Sequence, residues 1–281
     1  MAKEATRIVQ QPNPSPKPFL KWAGGKSQLV GEILKRFPTT FRRYHEPFLG
    51  GGAVFFALQP RAAVLSDVNR ELVETYLAIR NDVDNVIRAL SRHQPDEAHY
   101  YKVRAQSAAG LSLEESAART IFLNKTCFNG LYRVNRRGEF NVPFGRYRNP
   151  KFCDPENLSR VAESLQRAEL HIQSVFDISR RVRRGDLVYF DPPYDPVSKT
   201  SSFTAYAKDG FGREEQIRLA ELFARLAKRG VHVVLSNSDT PFIQDLYKGF
   251  RIDRVYARRA INARADRRGP VGELIISAVH A

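Results

Sequence analysis

The residues best suited to chemistry lie in Asp186-Leu-Val-Tyr-Phe-Asp-Pro-Pro-Tyr194. Leu187, Val188, Tyr189 and Phe190 form an apolar, β-forming run that predicts a buried strand. The two prolines after Asp191 cannot continue a central strand, so the chain must leave the sheet there. Asp191 and Tyr194 are then presented at the strand's carboxyl end, the edge where open α/β sheets bind ligands. A carboxylate, the Pro192 carbonyl and an aromatic face suit a planar ring carrying an exocyclic amine. They offer two acceptors for its two N–H bonds and a surface to stack on. A rigid loop with a helix-capping Asp would read the same way in isolation, so the rest of the chain has to decide.

Two glycine-bearing turns would bring further groups to that edge. In Pro18-Phe-Leu-Lys-Trp-Ala-Gly-Gly-Lys-Ser27, Ser27 is expected to cap a helix through Leu29, Val30, Ile33, Leu34 and Phe37, which Pro38 stops. Gly24 and Gly25 precede it, but a phosphate-binding P-loop would need glycine at position 20, which is Leu20. An exposed Trp22 between Lys21 and Lys26 instead suits a flat or anionic ligand, with a core anchor as the plainer reading. Arg43 to Phe48 then predicts a strand entering Leu49-Gly50-Gly51-Gly52, followed by a helix over Ala53 to Leu58 and a strand over Ala62 to Ser66. Glycines at a strand-to-helix turn allow close approach of a ligand to the backbone. Asp67, ending the second strand, stands close to where an acid meets ribose hydroxyls in nucleotide-binding βαβ units. Phe55 occupies a position that a dinucleotide fingerprint would give to glycine.

Residues 71–159 break the α/β rhythm and predict a mainly helical insertion, with one helix around Leu72 to Ile79 and another around Ala117 to Phe122. The insertion ends in a basic hairpin, with arms Leu131 to Asn135 and Glu139 to Val142 and Arg137-Gly138 at its tip. Arg133, Arg136, Arg137, Arg146 and Arg148 interleave there with Phe128, Asn129, Tyr132 and Tyr147. Such a mixture suits phosphate contacts, base-edge hydrogen bonds and stacking; a merely solvated hairpin is the bland alternative. The α/β pattern resumes from residue 160, with strands over Glu169 to Ser174, 187–190 and Val231 to Asn237, a helix over Arg213 to Arg229, and a closing pair over Arg251 to Arg259 and Gly272 to His280. The connection of that pair carries five arginines from Arg258 to Arg268 as a second phosphate candidate. Residues 1–18 are polar and proline-punctuated and read as a flexible leader.

The 45 Lys+Arg outweigh 30 Asp+Glu by 15 charges, which favours a polyanionic partner, nucleic acid before membrane. No apolar run approaches the roughly 20 residues of a membrane span. Cys127 and Cys153 lack metal-ligand spacing and fit a reducing, cytoplasmic setting with no metal.

Phe19 to Lys26, Glu46 to Gly52, Ser66 to Asn69, Phe128 to Arg133, Glu139 to Tyr147 and Asp191 to Tyr194 together resemble, in content and order, the Dam/DpnM group of bacterial N6-adenine DNA methyltransferases. The resemblance implies a Rossmann-like class I methyltransferase sheet built from residues 19–70 and 160–281. It also implies a target-recognition domain over 71–159, S-adenosylmethionine as methyl donor with S-adenosylhomocysteine as product, and a monomeric protein of bacterial or phage origin acting on double-stranded DNA. By motif position, Trp22, Lys26, Glu46, Phe48, Gly50, Asp67 and Asp191 would meet the cofactor, with Phe176 and Asp177 at its adenine. Asp191, Pro192 and Tyr194 would grip a flipped target adenine. Lys21, Leu131, Arg133 and Pro143 fall where the family reads GATC, with Phe128 or Asn129 filling the gap left by the flipped base and Arg146 beside them. One departure is Cys127-Phe128, where some members carry a tyrosine; an aromatic remains. Methylation of cytosine N4, of RNA or of a protein glutamine would share the amine-gripping logic, although the last expects Asn where Asp191 stands. A catalytically silent DNA-binding protein on the same fold would keep the hairpin and bind no cofactor.

Overall fold

A computed structural model describes residues 15–196, 211–257 and 271–280. One seven-stranded sheet organises them. It contains β1 (Tyr44–Glu46), β2 (Ala63–Asp67), β3 (Ala168–Ile172), β4 (Leu187–Phe190), β5 (His232–Ser238), β6 (Arg251–Ala257) and β7 (Val271–Ala278), in the order β3-β2-β1-β4-β5-β7-β6. The strands from β3 to β5 run parallel, and β7 inserts antiparallel between β5 and β6. The chain winds outward from β1 to β3, then returns to start β4 on the other side of β1. This is the Rossmann-like α/β arrangement, and its strand order reverses between β1 and β4, where such sheets open a crevice for ligands.

Alternation along β4 shows why both faces must be covered. Leu187 and Tyr189 enter one apolar cluster, Val188 and Phe190 the other. The second cluster is built with α7 (Arg213–Lys228) and α8 (Pro241–Leu246), which Thr240 caps and Pro241 opens. The first cluster takes α1 (Val30–Leu34), α2 (Ala53–Leu58), α3 (Arg70–Leu90), α4 (Glu97–Ala105), α5 (Leu113–Thr126) and α6 (Pro155–Leu165). Helices α3, α4 and α5 thus occupy the stretch where the sequence marks two, and α6 straddles its end. Their starts follow ordinary capping chemistry: Asn69, Asp96, Ser112 and Asp154 each accept an N–H from their own first turn. Helix α3 packs against β2 and β3 as well as α5 and α6, so the helical segment shares one continuous core with the sheet.

The amino-terminal helix differs from expectation. It begins at Val30, and the Lys26 carbonyl opens its turn by accepting from Leu29 and Val30 N–H at 2.8 and 2.9 Å. Ser27 faces solvent and caps nothing. At the other end of the expected leader, Lys17 is already pinned, its backbone N–H and C=O both bonded to the Asn157 amide at 2.9 Å. The arginines at 258–268 and most of the polar loop after Pro196 lie outside the described residues. No helix among the described residues is long and apolar enough to cross a membrane.

Candidate active site and nucleic-acid interface

Where the strand order reverses, Asp191 leaves β4 and meets a cation from far away in sequence. Lys26 Nζ lies 2.9 Å from Asp191 Oδ1, 2.5 Å from the Gly24 carbonyl and 4.5 Å from the centre of the Tyr194 ring. Lys26 is only 6% exposed, so this is a desolvated ion pair rather than a surface one. Burial pushes the Asp191 carboxyl up to about 6, against the pull of Lys26 and with the push of Glu273. Glu46 lies deeper. It is buried and accepts the Tyr44 hydroxyl at 2.9 Å, and desolvation drives it to about 8, so it is a neutral acid at pH 7. The sequence places Glu46 among the expected cofactor contacts; in the structure its carboxyl is buried with the Tyr44 hydroxyl as its partner.

The loop after Asp191 is held by groups without any sequence signature. Gln216 on α7 donates to the Pro193 carbonyl at 2.7 Å and accepts from Asn237 at 3.1 Å. Asn237 also takes the Asp195 N–H at 3.2 Å, and Thr240 donates to the Asp195 carboxylate at 2.9 Å. With Pro193 engaged, the carbonyl beside Asp191 that can serve a ligand is that of Pro192. Tyr194 donates its hydroxyl to Glu273 on β7 at 2.7 Å.

The glycine turn after β1 forms the adjoining wall. Gly50 has φ +47°, donates its N–H to Asp67 at 3.1 Å, and has no room for a Cβ, which would stand 2.8 Å from Trp22. Asp67 also accepts from Asn69 N–H, which sets the start of α3. Trp22 is half-buried rather than exposed: one face stacks on Tyr132 at 5.1 Å. Beyond Asp67 the edge is apolar, with Val68 71% exposed and Ile172 paired beside Asp67. Phe176 follows, stacked on Phe211 at 6.3 Å with the Arg218 guanidinium 4.0 Å above its ring, and Phe48 meets Phe211 edge-on. Val68, Phe211 and Arg218 escape a motif reading, though a valine directly after a strand-ending acid is itself a cue. Asp177 is exposed at the rim.

The hairpin grows out of α5. Asn135 and Glu139 close it at 2.8 Å around Arg136, Arg137 and Gly138, the last at φ +79°. Arg136 and Arg137 stand exposed at the tip without a carboxylate partner among the described residues. Arg133 is oriented across the hairpin by Asn141, through its Nε at 2.7 Å and a terminal nitrogen at 3.2 Å, and keeps further N–H groups for a ligand. Phe128 is 51% exposed, Leu131 is 40% exposed, and Asn129 is exposed at φ +55°. The Pro143 carbonyl already accepts the Phe128 N–H at 2.8 Å and retains one lone pair. Arg146 lies 3.6 Å from the Glu97 carboxylate.

Buried Asn124 joins this hairpin to the ion-pair wall. Its amide accepts the Lys21 N–H at 2.7 Å and donates to the Lys21 and Gly130 carbonyls at 2.8 and 3.3 Å. Gly130, at φ +62°, lies so close that a Cβ would stand 2.3 Å from the Lys21 side chain. The Lys21 ammonium sits 4.4 Å over Tyr147, at a cleft of about 420 Å³ also lined by Lys125, Arg148 and Lys151. An asparagine in an otherwise apolar helical run is a readable sign of such a clamp, although its partner is not. No group of three or more metal-ligating side chains occurs among the described residues.

Residues 22–261 match the family model of the D12 class N6 adenine-specific DNA methyltransferases. The chain is 40% identical over 279 residues to the type II methyltransferase M1.LlaDCHI of Lactococcus lactis subsp. cremoris, covering 96% of this chain and 98% of the relative. It is 43% identical over 274 residues to the type II methyltransferase M.MjaIII of Methanocaldococcus jannaschii, covering 90% and 95%. To the DNA adenine methylase of Escherichia coli K12 it is 36% identical over 261 residues, covering 92% and 93%.

Proposed function

The chain belongs to the D12 class N6 adenine-specific DNA methyltransferases and is an adenine-N6 DNA methyltransferase, and from that premise we propose that it methylates the adenine of GATC after flipping it from the duplex. The observation that carries this reading is the Lys26, Asp191 and Tyr194 cluster, with the Asn124 clamp joining it to an arginine-bearing hairpin. The clamp holds a candidate chemical centre and a candidate sequence reader in one frame. In domain terms, residues 19–70 and 160–281 supply the first and residues 71–159 the second. DNA is the partner, and a DNA substrate is what supports the cytoplasmic setting.

The residues present fit S-adenosylmethionine. The close approach at Gly50, the half-buried Asp67 carboxylate, the exposed apolar edge at Val68 and Ile172, and the Phe176 ring would receive a nucleoside with a charged tail. Trp22 and Lys26 border the same wall. When bound, the cofactor supplies an electrophilic sulfonium methyl. The chain's part is to orient the acceptor amine. N6 of a stacked, paired adenine is out of reach, and extruding the base costs on the order of a few kcal/mol. One face of Tyr194 carries Lys26, which leaves the other to the adenine. The Asp191 carboxylate and the Pro192 carbonyl accept the two N6–H bonds and draw the nitrogen from planar towards tetrahedral, freeing its lone pair. Fixed geometry then supplies much of the acceleration. No covalent enzyme intermediate is required.

For GATC, Lys21 suits the first guanine, Leu131 the thymine methyl, Arg133 a guanine O6 and N7 pair, and the remaining Pro143 lone pair a cytosine amino group. Phe128 or Asn129 enters the vacated stack. The test compares Arg133→Ala with wild type on duplexes carrying single changes in GATC. Discrimination worth about 1–3 kcal/mol should vanish at one guanine-containing pair while the other positions stay enforced. A uniform loss of activity on every duplex would remove Arg133 as a base reader.

A further inference from the structure

We infer that Glu273, on the antiparallel strand β7, is a positioning residue for adenine methylation: it fixes the ring plane of Tyr194 from two strands away in the sheet. The inference rests on the functional reading above. The last torsion of a tyrosine is broad, but its O–H lies in the ring plane, so an acceptor fixed in one direction pins the tip of the side chain and favours one ring plane, as a stacking platform requires. Glu273 Oε2 accepts that hydroxyl at 2.7 Å. The bond spans 79 residues and comes from a strand whose neighbours hold it on both sides, with Glu273 opposite Ser238 of β5 and Val255 of β6. Ser238 is itself bonded to the Asp195 carbonyl at 2.7 Å, so the same β5–β7 pairing fixes both the tyrosine and the loop that carries it.

Three charges surround the ring. Lys26 covers one face at 4.5 Å and pairs with Asp191, while Glu273 holds the rim. Burial and the two carboxylates push Tyr194 ionisation well above the ordinary tyrosine range, so the hydroxyl stays a donor throughout the working pH range. Glu273 is needed as a hydrogen-bond acceptor. Glutamine can supply the same acceptor oxygen without the charge, and alanine cannot.

The experiment measures single-turnover methyl transfer from labelled S-adenosylmethionine to unmethylated genomic DNA, with KM for each substrate and the thermal midpoint of every variant. Glu273→Ala and Tyr194→Phe remove the same bond from opposite ends. Each should slow transfer about tenfold with the cofactor KM within twofold, and the double variant should be no slower than either, because contacting partners are not additive. Glu273→Gln should stay within threefold of wild type. The inference is overturned if Glu273→Ala transfers at the wild-type rate, if the two losses multiply to about a hundredfold, or if Glu273→Gln is as slow as Glu273→Ala. Tyr194→Phe keeps the reasoning testable should a Glu273 variant fold poorly. An inactive wild type would overturn the functional reading itself, a result distinct from any change in these ratios.

Discussion

Lys26→Met removes the cation paired with Asp191 and leaves a side chain of similar length. At 2.9 Å inside the protein, an opposite charge lowers a carboxyl pKa by about 1–3 units. Asp191 stands at about 6 with Lys26 present, so without it the carboxyl should titrate between about 7 and 9. The sign follows directly. In the proposed mechanism the amine-gripping acceptor is the ionised form of Asp191, which is lost as pH falls through the folded pKa. The acid limb of the single-turnover rate should therefore lie near pH 6 in the wild type and move upward in Lys26→Met. Each unit of movement represents about 1.4 kcal/mol and a tenfold loss of ionised Asp191 on the acid side. At pH 6, where half of the wild-type Asp191 is ionised, the variant should be about 5- to 500-fold slower, recovering much of that loss by pH 9. The assay is a pH–rate profile at saturating cofactor, so that any weakening of cofactor binding does not enter. An acid limb that stays put, or moves down, would refute the electrostatic role assigned to Lys26.

Two further outcomes are expected. Glu46 has its carboxyl raised from 4.5 to about 8 by burial, so the folded state holds a proton that the unfolded chain releases between those values. Stability should fall by at most about 1.4 kcal/mol per pH unit over that window from this group and level off above it. Glu46→Gln should flatten the pH dependence of urea unfolding; an unchanged slope would mean that the carboxyl is ionised in place. At the hairpin tip, neutralising Arg136 or Arg137 should reduce the log–log salt dependence of DNA binding by about 0.9 for each lost phosphate contact, with the methylated sequence unaltered.

Much of this architecture is legible along the chain because it is local. An apolar run of four ended by two prolines marks β4 and its exit, and glycines between two short β-forming runs mark the turn at Gly50. The tip of the hairpin is written in Arg137-Gly138. Long-range partnership is not legible in the same way. Nothing near Lys26 announces a carboxylate 165 residues away, and nothing near Asn124 announces that its partners are the backbone of Lys21 and Gly130. Ser27 fails as a cap because the Lys26 carbonyl, tied to a side chain held by Asp191, sets where the helix starts. Trp22 is covered by Tyr132, whose hydroxyl is held by Glu71 at 2.5 Å, a contact spanning 61 residues. Helix α4 goes unmarked because only Tyr100 and Val103 of its nine residues are buried, too few to leave a periodic signature.

The central claim is that Asp191 at the end of β4 grips the adenine amine of GATC. Its most direct test is base-resolved sequencing of modified DNA from a methylation-free host expressing either the wild-type chain or Asp191→Ala, with DNA and cofactor binding measured on both purified proteins. The account predicts N6-methyladenine at GATC with the wild type and none with Asp191→Ala, while DNA affinity is retained. Methylation at GATC by Asp191→Ala at near wild-type levels, or modification by the wild type on another base, would contradict it.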